Sequence, residues 1–185
     1  MKKLIINDNG VNRELKIVKG EPKHYKDVSY LGKVTFSETF GYLFKQETLE
    51  NYLETTFSCE KIEESLKKGE NHFFVTYLDD EPVGYVKIKE NSKYEGIDES
   101  KNQIQLQKIY LISKYHRLGI GTAIMEVCKE LFKKFAPVTV WLDVHEDNIK
   151  AMKYYEKCGF SKIGKYYYSF QDASFIYDAM ALEIE

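Results

Sequence analysis

The chain has 185 residues, with 27 basic against 29 acidic side chains and a formal net charge of -2, a length that supports one domain with a real hydrophobic core. That charge balance excludes the basic footprint of a nucleic-acid binder, and no apolar stretch approaches membrane-spanning length. Three cysteines, Cys59, Cys128 and Cys158, form no CxxC pair, which argues against a disulfide framework or a zinc site and suits a reducing compartment.

The N-terminal MKKLIINDNG has too short an apolar run for a secretory signal, so a cytoplasmic protein is expected. Residues 1–13 read as a leader or an extra edge strand. Leu15, Ile17 and Val18 predict a short strand closed by Gly20 and Pro22. From Asp27 to Phe40, Val28, Leu31 and Val34 (or Thr35) recur at helical spacing, and a second helix starts near Gln46 with Leu49, Tyr52 and Leu53 on one side. A third, after Ser58, sets Ile62 and Leu66 at i, i+4 among Glu and Lys and stops near Gly69.

His72–Leu78 and Val83–Lys89 read as a hairpin across an acidic turn, Asp79-Asp80-Glu81-Pro82. The polar stretch 91–102 reads as a mobile loop. In the strand that follows, 103–112, the apolar phase passes from Ile104 and Leu106 to Ile109 and Leu111, which a β-bulge would produce. Ile120, Ile124, Val127, Cys128, Leu131 and Phe135 then make a helical stripe ended by Pro137. Val138–Val144 is a strand, Asp147 or a neighbour caps a helix through Cys158, and Gly159-Phe160 turns into a last pair of strands. Central crossovers between flanking hairpins imply an α/β (α+β) fold with a mixed sheet, in a single domain spanning 1–185.

Two stretches carry chemistry. In SKYHRLGIGT (113–122), the backbone N–H groups from Arg117 through Thr122 can converge on an anion because Gly119 and Gly121 remove Cβ obstruction, with the Arg117 charge and the Thr122 hydroxyl beside them. The pattern is neither a Walker A loop nor the dinucleotide fingerprint, since Ile124 stands where the latter needs glycine. Taken alone, it also fits an ordinary helix start. In NIKAMKYYEKCGF (148–160), Asn148 at a helix start can donate and accept at once. Tyr155 lies two turns on along the same face, where a buried phenol could protonate a leaving thiolate. Packing aromatics are the plain alternative for Tyr154 and Tyr155.

Together these stretches resemble the GNAT superfamily of N-acetyltransferases. Its Q/R-x-x-G-x-G/A loop matches His116-Arg117-Leu118-Gly119-Ile120-Gly121, and its N-x-x-A-x-x-x-Y-x-x-x-G-F helix matches Asn148, Ala151, Tyr155 and Gly159-Phe160. His116 stands at the usual Arg/Gln position, so either His116 or Arg117 would make the side-chain pyrophosphate contact. The resemblance implies a mostly antiparallel central sheet of about seven strands, with helices on both faces and splayed at the bulged strand. It implies acetyl-coenzyme A as cosubstrate and no metal. Pantetheine amides would pair with backbone around Ile109, Tyr110 and Leu111, and the Leu111 N–H would polarise the thioester carbonyl. His116, Arg117, Leu118, Gly119, Ile120, Gly121 and Thr122 would hold the pyrophosphate, Asn148 would contact the pantetheine arm, and Tyr155 would protonate the coenzyme A thiolate. The general base is unassigned.

Residues 36–66 and the tail Tyr168-Ser169-Phe170-Gln171-Asp172, with Asp178 and Met180, also resemble bacterial polyamine acetyltransferases of the PaiA type. That implies spermidine or spermine as acceptor, met by carboxylates beside aromatic walls. Glu38 is the candidate, with Glu50 and Glu54 behind it, and a solvated helix face is the alternative for each. Protein or peptide amines are a second acceptor class, and a non-catalytic acyl-coenzyme A-binding regulatory module is the reading from another class. A homodimer is the assembly that similar enzymes suggest. Asp143, His145, Glu146 and Asp147 lack the i, i+4 His pair of a metal site, and Cys128 and Cys158 read as core residues.

Overall fold

The computed structural model describes residues 1–170 and 173–185. Gln171 and Asp172 of the tail segment lie outside the described residues. The elements run β1 (Lys2–Asp8), β2 (Val11–Lys19), α1 (Tyr25–Phe40), α2 (Gln46–Thr56), α3 (Cys59–Lys67), β3 (Asn71–Leu78), β4 (Glu81–Glu90), β5 (Gln103–Leu111), α4 (Ile120–Phe132), β6 (Val138–His145), α5 (Ile149–Lys157), β7 (Ser161–Phe170) and β8 (Ala173–Ile184). The strands hydrogen-bond in the order β1-β2-β3-β4-β5-β6-β8-β7. The β5–β6 pair is parallel, whereas β1–β2, β2–β3, β6–β8 and β7–β8 are antiparallel. This is the expected mixed, mostly antiparallel sheet, with eight strands among the described residues instead of about seven. The backbone groups into two compact units, Met1–Ile88 with Lys108–Val127 and Lys89–Gln107 with Cys128–Glu185.

In the first unit, the additional strand is β1. Asn9 and Gly10 both take positive φ (51° and 90°), and Asp8 pairs with Val11, as in the two-residue hairpin turn that Asn-Gly favours. Of the two readings for residues 1–13, the edge strand is the observed one. Asp79 and Asp80 make the acidic turn between β3 and β4 in the same left-handed region, at φ 48° and 69°. The Asp79 carboxylate accepts from Arg13 Nε and the Glu14 N–H, both at 2.8 Å. Across α1 to α3 the apolar spacing finds its core: Val28 and Leu31 are fully buried, and Ile62 and Leu66 nearly so. Thr35 rather than Val34 faces inward, because its hydroxyl donates to the Leu31 carbonyl and needs no other partner. Gly32 is required there, since a Cβ would overlap the Phe57 ring. Ser58 caps α3, accepting from the Lys61 N–H at 3.3 Å.

In the second unit, the stretch 91–102 departs from the mobile loop expected of it. Tyr94 and Ile97 are 7% and 8% exposed and pack in one cluster with Trp141, Ala179 and Ala181. The Tyr94 N–H donates to Gln103 Oε1 (2.9 Å), its hydroxyl donates to the Lys165 carbonyl (3.0 Å), and Trp141 Nε1 donates to the Ser92 carbonyl (2.7 Å). Two apolar anchors in a polar segment suffice, because burying one such side chain stabilises by about 1.5–3 kcal/mol. The β5–β6 register covers only Gln103–Gln105 against Thr139–Trp141. The phase change expected after Leu106 coincides with a change in burial, from buried through Leu106 to half-buried from Gln107 onward.

Candidate active site

The glycine loop lies in the first unit, between β5 and α4. The Ile112 N–H donates to the Val83 carbonyl (2.9 Å), so the chain leaves β5 tied to β4. Gly84 permits this approach, since a Cβ there would come within 2.6 Å of the Tyr110 carbonyl oxygen. A 3-10 turn, Ser113–Tyr115, follows. Arg117 and Gly119 both take left-handed φ, 68° and 77°. For arginine that conformation costs about 1–2 kcal/mol, and such strain clusters at ligand clamps. A Cβ built on Gly119 meets nothing within 4 Å. The first helical bond runs from the Ala123 N–H to the Gly119 carbonyl (3.2 Å), which places Ile120 and Thr122 ahead of the ladder, where helix N–H groups can serve an anion.

The turn before the loop is gripped from three sides, none foreseen from the sequence. Tyr115, 5% exposed, donates its hydroxyl to Glu81 Oε2 at 2.6 Å, and Lys114 Nζ reaches Glu81 Oε1 at 3.1 Å. These two partners hold the Glu81 carboxyl below its ordinary pKa. The Glu38 carboxylate, on α1, accepts the Ser113 N–H at 2.9 Å. His116 Nε2 hydrogen-bonds the Leu111 carbonyl at 3.0 Å, so the ring carries its proton on Nε2 for this bond. Arg117 is exposed. The unit thus brings Glu38, the end of β5 and the loop 116–122 into one hydrogen-bonded set. Glu50 and Glu54 stand apart, the first accepting from Gln46 and the second from Lys33, both at 2.7 Å.

The same unit holds rings in numbers that the Tyr and Phe counts only hinted at. Phe36 stacks on Tyr52 with centroids 4.4 Å apart, and Tyr85 tilts against Tyr110 at 5.7 Å. The Lys108 ammonium lies over Phe57 and Tyr110, 5.2 and 5.7 Å from their centroids, a cation–π placement. The Tyr85 hydroxyl is buried with no hydrogen-bond partner among the described residues.

Asn148 and Tyr155 belong to the second unit. Asn148, not Asp147, is the N-cap of α5: its Oδ1 accepts the Ala151 N–H at 3.2 Å. That uses the acceptor half of the amide and leaves the NH2 half as donor. At the other end, Gly159 takes φ 99°. Its N–H bonds the Glu156 carbonyl (2.9 Å), and the Phe160 N–H bonds the Tyr155 carbonyl (3.0 Å). This is a Schellman ending, and the hydrophobic contact that accompanies it is Phe160 against Tyr155, with centroids 6.0 Å apart and edge-to-face. The Gly-Phe pair therefore aims the tyrosine. Gly159→Ala is expected to lower stability by about 1 kcal/mol in urea melts, from left-handed strain on a Cβ that would also press on Leu182 at 3.3 Å.

Tyr155 is 9% exposed. Burial pushes its phenol pKa far up, and the Asp143 carboxylate adds to the shift, so the proton stays on oxygen at neutral pH. Burial likewise pushes the Cys128 thiol up to about 12, which makes it a poor nucleophile. Cys158 is half-buried, hydrogen-bonded to Tyr154 and also raised by burial. His145 Nδ1 accepts the Asp147 N–H at 3.2 Å. Among the described residues, no three His, Cys, Asp or Glu side chains are placed to hold a metal, and no helix is long and apolar enough to cross a membrane.

The acetyltransferase (GNAT) family model matches residues 36–160, which contain both motifs. The chain belongs to the GNAT acetyltransferase family. An uncharacterized N-acetyltransferase of Lactobacillus delbrueckii subsp. lactis is 24% identical over 159 residues, covering 85% of this chain and 91% of the relative. An N-alpha-acetyltransferase of Sulfurisphaera tokodaii is 30% identical over 112 residues, 57% of this chain and 67% of the relative. The PaiA N-acetyltransferase of Thermoplasma acidophilum, solved with coenzyme A, has the same fold: TM-score 0.69 at 17% identity, covering 92% of this chain and 99% of that one. As a GNAT member the chain is an N-acetyltransferase, for which acetyl-coenzyme A is the expected cosubstrate.

Proposed function

We propose that the protein transfers the acetyl group of acetyl-coenzyme A to a primary amine, with a polyamine such as spermidine or spermine as the first acceptor class. The observation that carries this reading is the segment from Leu111 to Thr122. It leaves β5 tied to β4, turns through two left-handed residues and opens a helix at a glycine with empty space beside it. In the proposed reaction the backbone from Arg117 to Thr122 holds the pyrophosphate, and Arg117 supplies the side-chain charge because His116 is already engaged with Leu111. Ile109, Tyr110 and Leu111 meet the pantetheine amides and the thioester carbonyl, Asn148 donates its NH2 to the pantetheine arm, and Tyr155 gives its proton to the thiolate. We take residues 1–185 as one catalytic domain. The rings that hold the Lys108 ammonium support an alkylammonium acceptor, because they already accept one from within the chain.

A peptide α-amine is the second reading, supported by the 30% identity to an N-alpha-acetyltransferase. The protein should be mixed with acetyl-coenzyme A and a panel of spermidine, spermine, diamines and short peptides, with free coenzyme A measured. Release with polyamines is the expected result. Release with peptides alone would move the acceptor to the second reading. Cofactor binding without any turnover would favour a regulatory acyl-coenzyme A-binding module.

A further inference from the structure

We propose that Glu38 is the group that receives the acceptor nitrogen and takes its proton, an inference that rests on the amine acetyltransferase reading above. Several carboxylates of the first unit already hold a side chain. Asp27 accepts the Tyr77 hydroxyl at 2.6 Å, Glu50 and Glu54 hold Gln46 and Lys33, and Glu81 holds Tyr115 and Lys114. Glu38 is bound differently. Its Oε2 accepts a backbone N–H, that of Ser113, and its Oε1 takes no hydrogen bond from any described residue.

A backbone donor on an ordered turn fixes a carboxylate in place without neutralising it, which a lysine partner would do. The turn in question begins two residues after Leu111, where the thioester carbonyl is expected. Glu38 is also exposed, so a proton taken there can pass to water. One oxygen is held and the other is open, beside the strand end that presents the acetyl group.

The proton count closes. An ammonium acceptor gives one proton to Glu38 Oε1, which exposes the nitrogen lone pair. The lone pair attacks the thioester carbonyl carbon, the C–N bond forms and the carbonyl pair moves onto oxygen. The C–S bond then breaks, and the thiolate leaves with the Tyr155 proton. Once Glu38 has shed the first proton to solvent it takes the second from the nitrogen as the amide forms, and solvent reprotonates the Tyr155 phenolate, so each turnover releases one proton net.

Glu38→Gln separates this role from anchoring, because the amide oxygen can still accept the Ser113 N–H. With spermidine or whichever panel amine is turned over, kcat is expected to fall about 10²-fold, the scale of general-base removal, while the Kd of acetyl-coenzyme A stays within about twofold. The deficit should shrink as pH rises toward the acceptor's own pKa, since free amine needs no base. Glu38→Ala removes the anchor too and should also weaken cofactor binding. Unchanged kcat in Glu38→Gln, a deficit constant across pH, or equal loss of kcat and cofactor affinity would each overturn the proposal. Those results leave the amine acetyltransferase reading standing. A wild-type protein that acetylates no amine overturns both.

Discussion

Replacing Tyr155 with phenylalanine is expected to lower kcat by about 10²–10⁴-fold, the range for a lost general acid, with the Kd of acetyl-coenzyme A changed by less than about twofold. The substitution deletes one oxygen and keeps the ring, so the Schellman contact with Phe160 survives and the fold has no reason to respond. The phenol is suited to the task because burial and the nearby Asp143 carboxylate both disfavour phenolate. Tyr155 therefore keeps its proton at neutral pH, and in the proposed reaction it would pass that proton on only as negative charge develops on the departing sulfur. Stopped-time assays for kcat and calorimetric titration for Kd separate the two quantities. Equal loss in both, or loss in neither, would remove Tyr155 from the chemistry.

The second large effect belongs to the loop. Gly119→Val is expected to raise the Kd of coenzyme A at least about tenfold while thermal stability falls only modestly. Left-handed φ at a β-branched residue costs about 1–2 kcal/mol, and the loop can escape that strain by rearranging, at the expense of the N–H groups it presents. The branched side chain would also fill the space found empty beside the glycine. Because no protein atom occupies that space, the damage should register in ligand binding rather than in packing. Calorimetry with coenzyme A, paired with a melting curve, distinguishes the two. Affinity equal to wild type would show that this loop does not hold the pyrophosphate.

The element order and both motifs could be read along the chain because they rest on local rules: helical spacing in α1 to α4, left-handed glycines at 119 and 159, a proline-free apolar strand. What escaped depended on long-range partners or on a choice between near-equal neighbours. Asn9-Gly10 is a strong hairpin signal, and reading it would have placed β1 directly. Tyr94 and Ile97 lie in a stretch whose composition is polar, and their burial depends on Trp141 and β8, far along the chain. Asn148 and Asp147 are equally good caps by residue type, and only the backbone decides between them. The grip of Glu81 on Tyr115 spans 34 residues, which no periodicity reports. Glu38 stands out in the sequence by its charge and its segment. Its hydrogen bond to Ser113 was invisible because a backbone donor leaves no mark on the sequence.

The buried and half-buried thiols near the proposed acid bear on the kinetic path. Cys128 and Cys158 interact electrostatically with Tyr155, and burial raises both their pKa values. Burial disfavours the thiolate at both sulfurs, most at the fully buried Cys128, which argues against either as a way-station for the acetyl group. The proposed transfer accordingly runs with donor and amine aboard together rather than through an acyl-enzyme on either sulfur. Double-reciprocal plots for such a path intersect rather than run parallel.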